Sequence, residues 1–261
     1  MSRYAKVCSV ERNKPTGNML DKMMSILSVY RTDGGSFRLT ELAVKAGLTK
    51  TTAFRLIGDL VRLGLLERDG ERYRLGGALF ELGSLVPRRH DLRETALPFL
   101  QDLFESTRQT VHFGIRDDRD VVYLERIHGH DAVPLPSRIG GRLPLTCTAI
   151  GKALLAFSLP ELAEAILADP LPQLTSFSIT DPLRLRTALE QTQVSGLAYE
   201  EQEAALGVSC IAAPVFSGAV VVAAVSVAVP REQFRPAHLA PAVRTAALGL
   251  SRTLRQPIAT G

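Results

Sequence analysis

Residues 39–76, LTELAVKAGLTKTTAFRLIGDLVRLGLLERDGERYRLG, decide how the rest of the chain is read. Thr40 suits the N-cap of a short helix through Glu41, Leu42, Ala43, Val44, Lys45 and Ala46, and Gly47 suits the left-handed residue just past its end. Leu48 restarts the chain at once, and Thr49 caps a further helix. On that helix Phe54, Ile57, Leu60, Val61 and Gly64 are assigned to one apolar stripe, with Lys50, Thr51, Thr52, Arg55, Asp59 and Arg62 on other faces. Two helices joined through a glycine turn form a helix-turn-helix. Leu65 to Gly76 then gives two short alternating segments around Asp69-Gly70, a dipeptide favoured in tight hairpins, and so the expected wing.

Upstream, after the Thr16-Gly17-Asn18 turn signal, Leu20, Met23, Met24, Leu27 and Tyr30 recur at helical spacing over Met19 to Tyr30, and Asp33-Gly34-Gly35-Ser36 ends that helix. Helix, helix-turn-helix and charged hairpin in this order is a specific pattern, because the last helix must protrude and the hairpin must flank it. Charge agrees. The 261-residue chain carries 31 Lys and Arg against 27 Asp and Glu, but residues 1–76 hold 14 against 8, a net of +6, and the remainder is at −2. Thr49, Lys50, Thr51, Thr52 and Arg55 offer hydroxyls and cations suited to phosphates and guanine edges, and Thr40, Arg72 and Arg74 complete the candidate DNA-contacting set. The competing readings are a solvated helix face, or a winged helix that binds protein.

The chain length suits two domains. Cys8, Cys147 and Cys210 are widely spaced and form no C-x-x-C, which argues against a disulfide framework and a thiolate zinc site and favours a reducing, cytoplasmic setting. No apolar segment follows the N-terminal charges Arg3, Lys6, Glu11, Arg12 and Lys14, so no secretion signal or anchor is expected. Ile211 to Pro230 lacks charge over a bilayer-length span. It is read as a hairpin, because Pro214 and Ser217-Gly218 interrupt it and its β-branched flanks, Val208 to Phe216 and Val220 to Val229, suit buried strands.

The helix-turn-helix and wing residues resemble the DNA-binding domain of IclR-family regulators, and later segments agree. Leu143 to Ala156 is similar to the family's A-x-G-K-A-L-L-A block, and Gly196 to Glu203 followed by Gly207 to Val215 is similar to its most distinctive signature. The resemblance implies a sequence-specific DNA-binding transcription regulator modulated by a small-molecule effector, a carboxylate or aromatic acid. It implies a homodimer or tetramer on a near-palindromic operator, with Gly77 to Leu85 as a dimerising linker helix. The expected division is residues 1–76 for the winged helix-turn-helix, 77–88 for the linker and 89–257 for an effector domain.

Beyond the linker, Asp91–Thr107, Thr148–Phe157, Leu159–Leu167, Leu183–Val194 and Ala237–Arg255 read as helices, and Val111–Arg116 and Asp120–Arg126 as strands. With the apolar hairpin this gives an antiparallel sheet covered by helices, α+β in class, and the resemblance implies a GAF-like, profilin-like domain. The start of the helix after Thr146-Cys147-Thr148 offers unpaired amides to an acceptor. By resemblance, ligand-contacting positions fall at Ala149, Ile150, Glu200, Cys210 and Ser226, with a further one at Ala228. Alanine at 228 removes a hydroxyl that some members carry, and Glu200 is one methylene longer than their aspartate, so a ligand larger or less polar than a simple keto acid fits. Leu135 and Leu145 are candidate apolar walls.

Two rivals remain at this level: a ligand-sensing module whose winged helix binds protein, and a small enzyme using Cys147 or Cys210 beside His112 or His128. No cofactor is expected, and the usual enzyme signatures are absent. His128-Gly129-His130 has a metal-ligand spacing but no third ligand, so no metal site is assigned.

Overall fold

The structure is a computed structural model that describes residues 17–129 and 135–255. Thr16, His130, Cys8 and the N-terminal charges named above lie outside the described residues. Contacts divide the chain into a unit ending at His90 and a unit beginning at Asp91.

In the first unit, α1 (Met19–Asp33), β1 (Phe37–Arg38), α2 (Leu39–Lys45), α3 (Lys50–Arg62), β2 (Leu66–Asp69), β3 (Arg72–Leu75) and α4 (Gly77–Ser84) follow the expected order, with a three-stranded sheet β1-β3-β2. Gly47 takes φ +66° between α2 and α3, a conformation that costs glycine nothing. Thr49 caps α3, its Oγ1 accepting from the Thr52 amide at 3.3 Å. The hairpin register pairs Asp69 with Arg72, which makes Gly70 and Glu71 the two turn residues. A single core of Ile26, Val29, Tyr30, Phe37, Leu42, Leu56, Ile57, Leu60 and Leu66 holds the three helices and the wing together. Tyr30 ties them further, donating its hydroxyl to the Tyr73 carbonyl at 2.9 Å.

Two expectations are corrected here. Thr40 does not cap α2. It lies exposed inside the first turn, and Arg38 is the capping residue, its amide donating to Glu41 Oε2 at 2.7 Å. A charged side chain three residues into the helix satisfies the end where a hydroxyl at residue 40 was expected to do so. The apolar stripe of α3 is also rotated. Ala53, Leu56, Ile57 and Leu60 are buried, whereas Phe54 is 66% exposed. Small Ala53 fits against the neighbouring helices, and that choice turns the ring at 54 outward.

The second unit, preceded in chain order by the start of α5 (Pro87–Thr107), comprises β4 (Thr110–Asp117), β5 (Asp120–Ile127), β6 (Arg142–Pro144), α6 (Ala149–Ala156), α7 (Pro160–Leu167), α8 (Pro182–Ser195), β7 (Ala198–Glu201), β8 (Val208–Ser217), β9 (Val220–Pro230) and α9 (Pro236–Thr253). Its six strands form one antiparallel sheet in the order β6-β5-β4-β9-β8-β7. The class is α+β, as the sequence implied.

Side chains alternate across this sheet with period two. Phe113, Val122, Ile211, Ala213, Val215, Val225 and Val227 face α5 and α9. Val121, Tyr123, Ala212 and Ala224 face α6, α7 and α8. The uncharged 211–230 stretch is therefore a hairpin buried on both faces, and among the described residues no helix is long and apolar enough to cross a membrane. Pro214 lies in β8 beyond the residues paired with β7, Ser209 to Ala212, and opposite Ala224 of β9. β6 and β7 were not anticipated as strands.

α6 is seated by a backbone contact. A Cβ on Gly151 would lie 2.1 Å from the Leu145 carbonyl oxygen and 2.4 Å from its Cα, so only glycine lets the helix start against the preceding 3-10 turn, Leu145–Cys147. Gly151→Ala should destabilise the second unit by about 3 kcal/mol or more, since backbone cannot yield as a side chain does. Denaturant unfolding followed by circular dichroism checks this, and wild-type stability would refute it.

Candidate nucleic-acid interface and ligand pocket

The N-terminal half of α3 presents Lys50, Thr51 and Arg55 to solvent, with Thr51 and Arg55 one turn apart on the same face. Thr49 and Thr52 are used differently: besides the cap, the Thr49 hydroxyl donates to Thr52 Oγ1 at 2.9 Å, so these two shape the start of the helix. The wing arginines are engaged within the protein. Arg72 donates through Nε to Ser36 Oγ at 3.1 Å and through a terminal nitrogen to the Ser36 carbonyl at 2.9 Å, with Glu41 at 3.5 Å. Arg74 donates to Glu67 at 3.0 Å, and the same carboxylate accepts from the Gly77 amide at 3.1 Å. The Gly77 amide and Arg74 hold the Glu67 carboxyl below its ordinary range. The Arg72–Glu41 and Arg74–Glu67 side chains are about half exposed, so these ion pairs contribute little to stability.

In the second unit, one polar side chain from each of five neighbouring strands reaches a single cavity. Tyr123 comes from β5, His112 from β4, Ser226 from β9, Cys210 from β8 and Glu200 from β7. His112 pairs with Ser226 and Cys210 with Glu200 in register, so the row follows from strand order. Thr148, Ala149 and Ile150 at the start of α6 close the cavity, with Leu135, Leu143 and Val208 as apolar wall. Its enclosed volume is about 30 Å³, and it opens to solvent. Thr148 accepts from the Gly151 amide at 3.0 Å. The amides of Ala149 and Ile150 begin the helix and have no intrahelical acceptor.

Electrostatics set the cavity's chemistry. Among the described residues, no lysine or arginine lines it. His112, buried and donating to or accepting from Ser137 Oγ at 2.8 Å, is pushed down to about 3 by burial and then by Arg126 and His128, so it is neutral. Burial raises Glu200 to about 7, although its Oε1 accepts from the amides of Glu203 and Ala204. Beneath it Lys152, 2% exposed, pairs with Glu203 and donates to the Tyr199 carbonyl at 3.0 Å. The hydroxyls of Thr175 and Ser178 hold the carbonyls of Gln202 and Glu203, each at 2.7 Å. The turn that follows Glu200 is thus fixed from two sides.

All five positions singled out in the sequence, Ala149, Ile150, Glu200, Cys210 and Ser226, line this cavity, and so does Leu135. Ala228 packs instead with Ala205, Val208 and Leu135, and Leu145 sits in the core. Sequence reasoning missed Tyr123, Ser137 and Thr148 as lining residues and treated His112 only as a partner for a cysteine. That His112 and Tyr123 meet on one face becomes visible only with the register, which sets His112 opposite Arg126 and Tyr123 opposite Gly114.

Cys147 and Cys210 do not have the environment of nucleophiles: burial raises both thiols, Cys210 well above its ordinary value. Among the described residues no three His, Cys, Asp or Glu are grouped to hold a metal ion.

Comparison with known proteins places this geometry. Residues 19–70 match the IclR helix-turn-helix domain, and residues 85–252 match the family described as bacterial transcriptional regulator IclR C-terminal. The HTH-type transcriptional regulator XynR of Escherichia coli K12 is 35% identical over 250 residues, 93% of this chain and 99% of XynR. The transcriptional repressor IclR of the same organism is 29% identical, over 76% of this chain and 74% of the repressor. Among solved structures, an IclR homolog from Microbacterium hydrocarbonoxydans complexed with 4-hydroxybenzoate superposes with a TM-score of 0.83 at 30% identity, covering 91% of this chain and 99% of the homolog. With both family domains matched in order, a winged helix-turn-helix at one end and a walled cavity at the other, the chain belongs to the IclR family of DNA-binding transcription regulators with a C-terminal effector-binding domain.

Proposed function

We propose that the cavity around Glu200 binds a small monocarboxylate, an aromatic acid in particular, and that its occupancy changes operator affinity. The observation that carries this reading is the row of neutral or proton-sharing groups, Tyr123, His112, Ser226, Cys210 and Glu200, facing an apolar wall and a helix start with no lysine or arginine among them. Such a lining suits a ring and one acceptor group rather than a polyanion. Donors for the carboxylate are the α6 amides, the hydroxyls and Glu200 in its protonated form. The relative carrying 4-hydroxybenzoate supports the class.

On the DNA side, Lys50, Thr51 and Arg55 of α3 enter the major groove, Thr40, Thr49 and Thr52 stand at its edge, and Arg72 and Arg74 leave their internal partners for phosphates. The chain acts in the cytoplasm as a homodimer, or a pair of dimers, so that two α3 helices about 34 Å apart meet a near-palindromic operator. The exposed Phe80 and Leu82 of α4, with Leu85 just past its end, suit burial against a second copy. Ligand shifts the population of two arrangements of the DNA-binding heads, with a coupling of about 1–3 kcal/mol. The protein regulates and does not catalyse.

Arg55→Ala should abolish preference for the operator over unrelated DNA. Arg72→Ala should weaken all sequences alike and lower the slope of log affinity against log salt by about one. Mobility-shift titrations at two salt concentrations check both, and unchanged binding by the two variants would remove α3 and the wing from the interface.

The pocket has a pH signature. Glu200 sits near 7 rather than in the usual carboxylate range, so below that it is protonated and donates to a bound carboxylate, and above it is ionised and repels one. His112 stays neutral throughout. Affinity for 4-hydroxybenzoate, measured by calorimetry, should fall as pH rises through about 7, by up to about tenfold per unit beyond it, and Glu200→Gln should flatten the profile. A flat wild-type profile between about pH 6 and about pH 8.5 would contradict this assignment of the acid.

A further inference from the structure

The aromatic ring at position 54 stands on the outside of the helix that reads DNA. Phe54 is 66% exposed, although the core that α3 helps to build lies one residue away at Ala53 and two away at Leu56. A phenylalanine left in water forgoes the stabilisation that burial gives, so its place on α3 is not explained by folding. Its neighbours on the open side are Lys50, one turn earlier, and Arg55, both exposed cations. One turn later is Gly58, also exposed, where an added Cβ would meet nothing within 4 Å. Packing does not require glycine there, and glycine is the poorest helix former after proline.

An exposed ring between cations and a bare stretch of backbone call for a partner that is anionic and yet apolar at one point. The major groove offers this at the C5-methyl group of thymine, which apolar side chains, phenylalanine among them, contact directly. A purely polar or acidic partner surface would leave the ring unmatched.

We propose that Phe54 reads a thymine methyl group in each operator half-site, and that Gly58 lets the α3 backbone lie close beside that base. The inference rests on α3 being the reading helix and adds to it the identity of one base feature.

The test uses the full chain and the shortest DNA fragment upstream of this gene that it protects. Each thymine is replaced singly by deoxyuridine, which removes the methyl group and nothing else. Wild type should lose about fourfold in affinity for each buried methyl at one symmetric pair of positions and little elsewhere. Phe54→Ala should bind the thymine duplex as weakly as wild type binds the uracil duplex and should be indifferent to the substitution. Phe54→Leu, still apolar, should keep part of the discrimination, and thermal melting should be unchanged because the site is exposed. Gly58→Ala should melt higher than wild type and bind the operator less tightly.

If Phe54→Ala is as sensitive to methyl loss as wild type, or if wild type is insensitive at every position while Arg55→Ala still abolishes operator preference, the Phe54 proposal is overturned alone. If Arg55→Ala also leaves binding unchanged, the reading helix itself is wrongly assigned and both fall. Wild-type operator affinity in Phe54→Ala, with Phe54 of the unaltered chain instead covered by a bound protein, would overturn the proposal and assign the surface to a protein partner.

Discussion

The second unit is organised around a carboxyl group buried without a lysine or arginine in the cavity it faces. Glu200 is 1% exposed, and against that burial stand the Cys210 side chain and a pair of backbone amides from the turn that follows it. A buried charge so placed is costly, and the carboxyl accordingly holds its proton to about 7. That state requires the turn 201–207 to keep its shape. Lys152 from α6, paired with Glu203, and the hydroxyls of Thr175 and Ser178 supply the clamp. The same α6 begins at the cavity with Ala149 and Ile150 and is seated by the Gly151 contact. One short helix therefore connects the cavity wall to the buried ion pair, and anything that changes the protonation or hydrogen bonding of Glu200 acts on both.

The first unit obeys a different constraint. Its core is small, and every buried position on α3 is needed to hold the helix against α1 and α2. What remains is a face free to carry Lys50, Thr51, Phe54 and Arg55. The wing arginines wait in exposed pairs with Ser36, Glu41 and Glu67, which orders the hairpin without committing much free energy to that order.

Much of this was legible in the sequence where local chemistry decides structure. Thr49 before Lys50, Gly47 before it and Asp69-Gly70 in the wing fix their elements through caps and turns, and the β-branched flanks of the 211–230 stretch gave a hairpin rather than a membrane span. Periodicity placed most helices to within a few residues. The failures lie where tertiary contacts decide. Arg38 rather than Thr40 caps α2 because Glu41 reaches back, and Phe54 turns outward because Ala53 fits the core better. β6 and β7 are too short to show alternation. The five cavity positions came from family motifs, whereas Tyr123 and His112 join them only through strand register, which no single segment encodes, and Ser137, a loop residue, joins through its bond to His112.

If effector and DNA act on one shared equilibrium, each must change the other's affinity by the same factor, and thermodynamic reciprocity tests this directly. The affinity of the chain for its upstream DNA is measured with and without saturating 4-hydroxybenzoate, and the affinity for 4-hydroxybenzoate with and without saturating DNA. The account predicts the same factor in both directions, of about 5- to 150-fold. Binding of each partner with no effect on the other would contradict it.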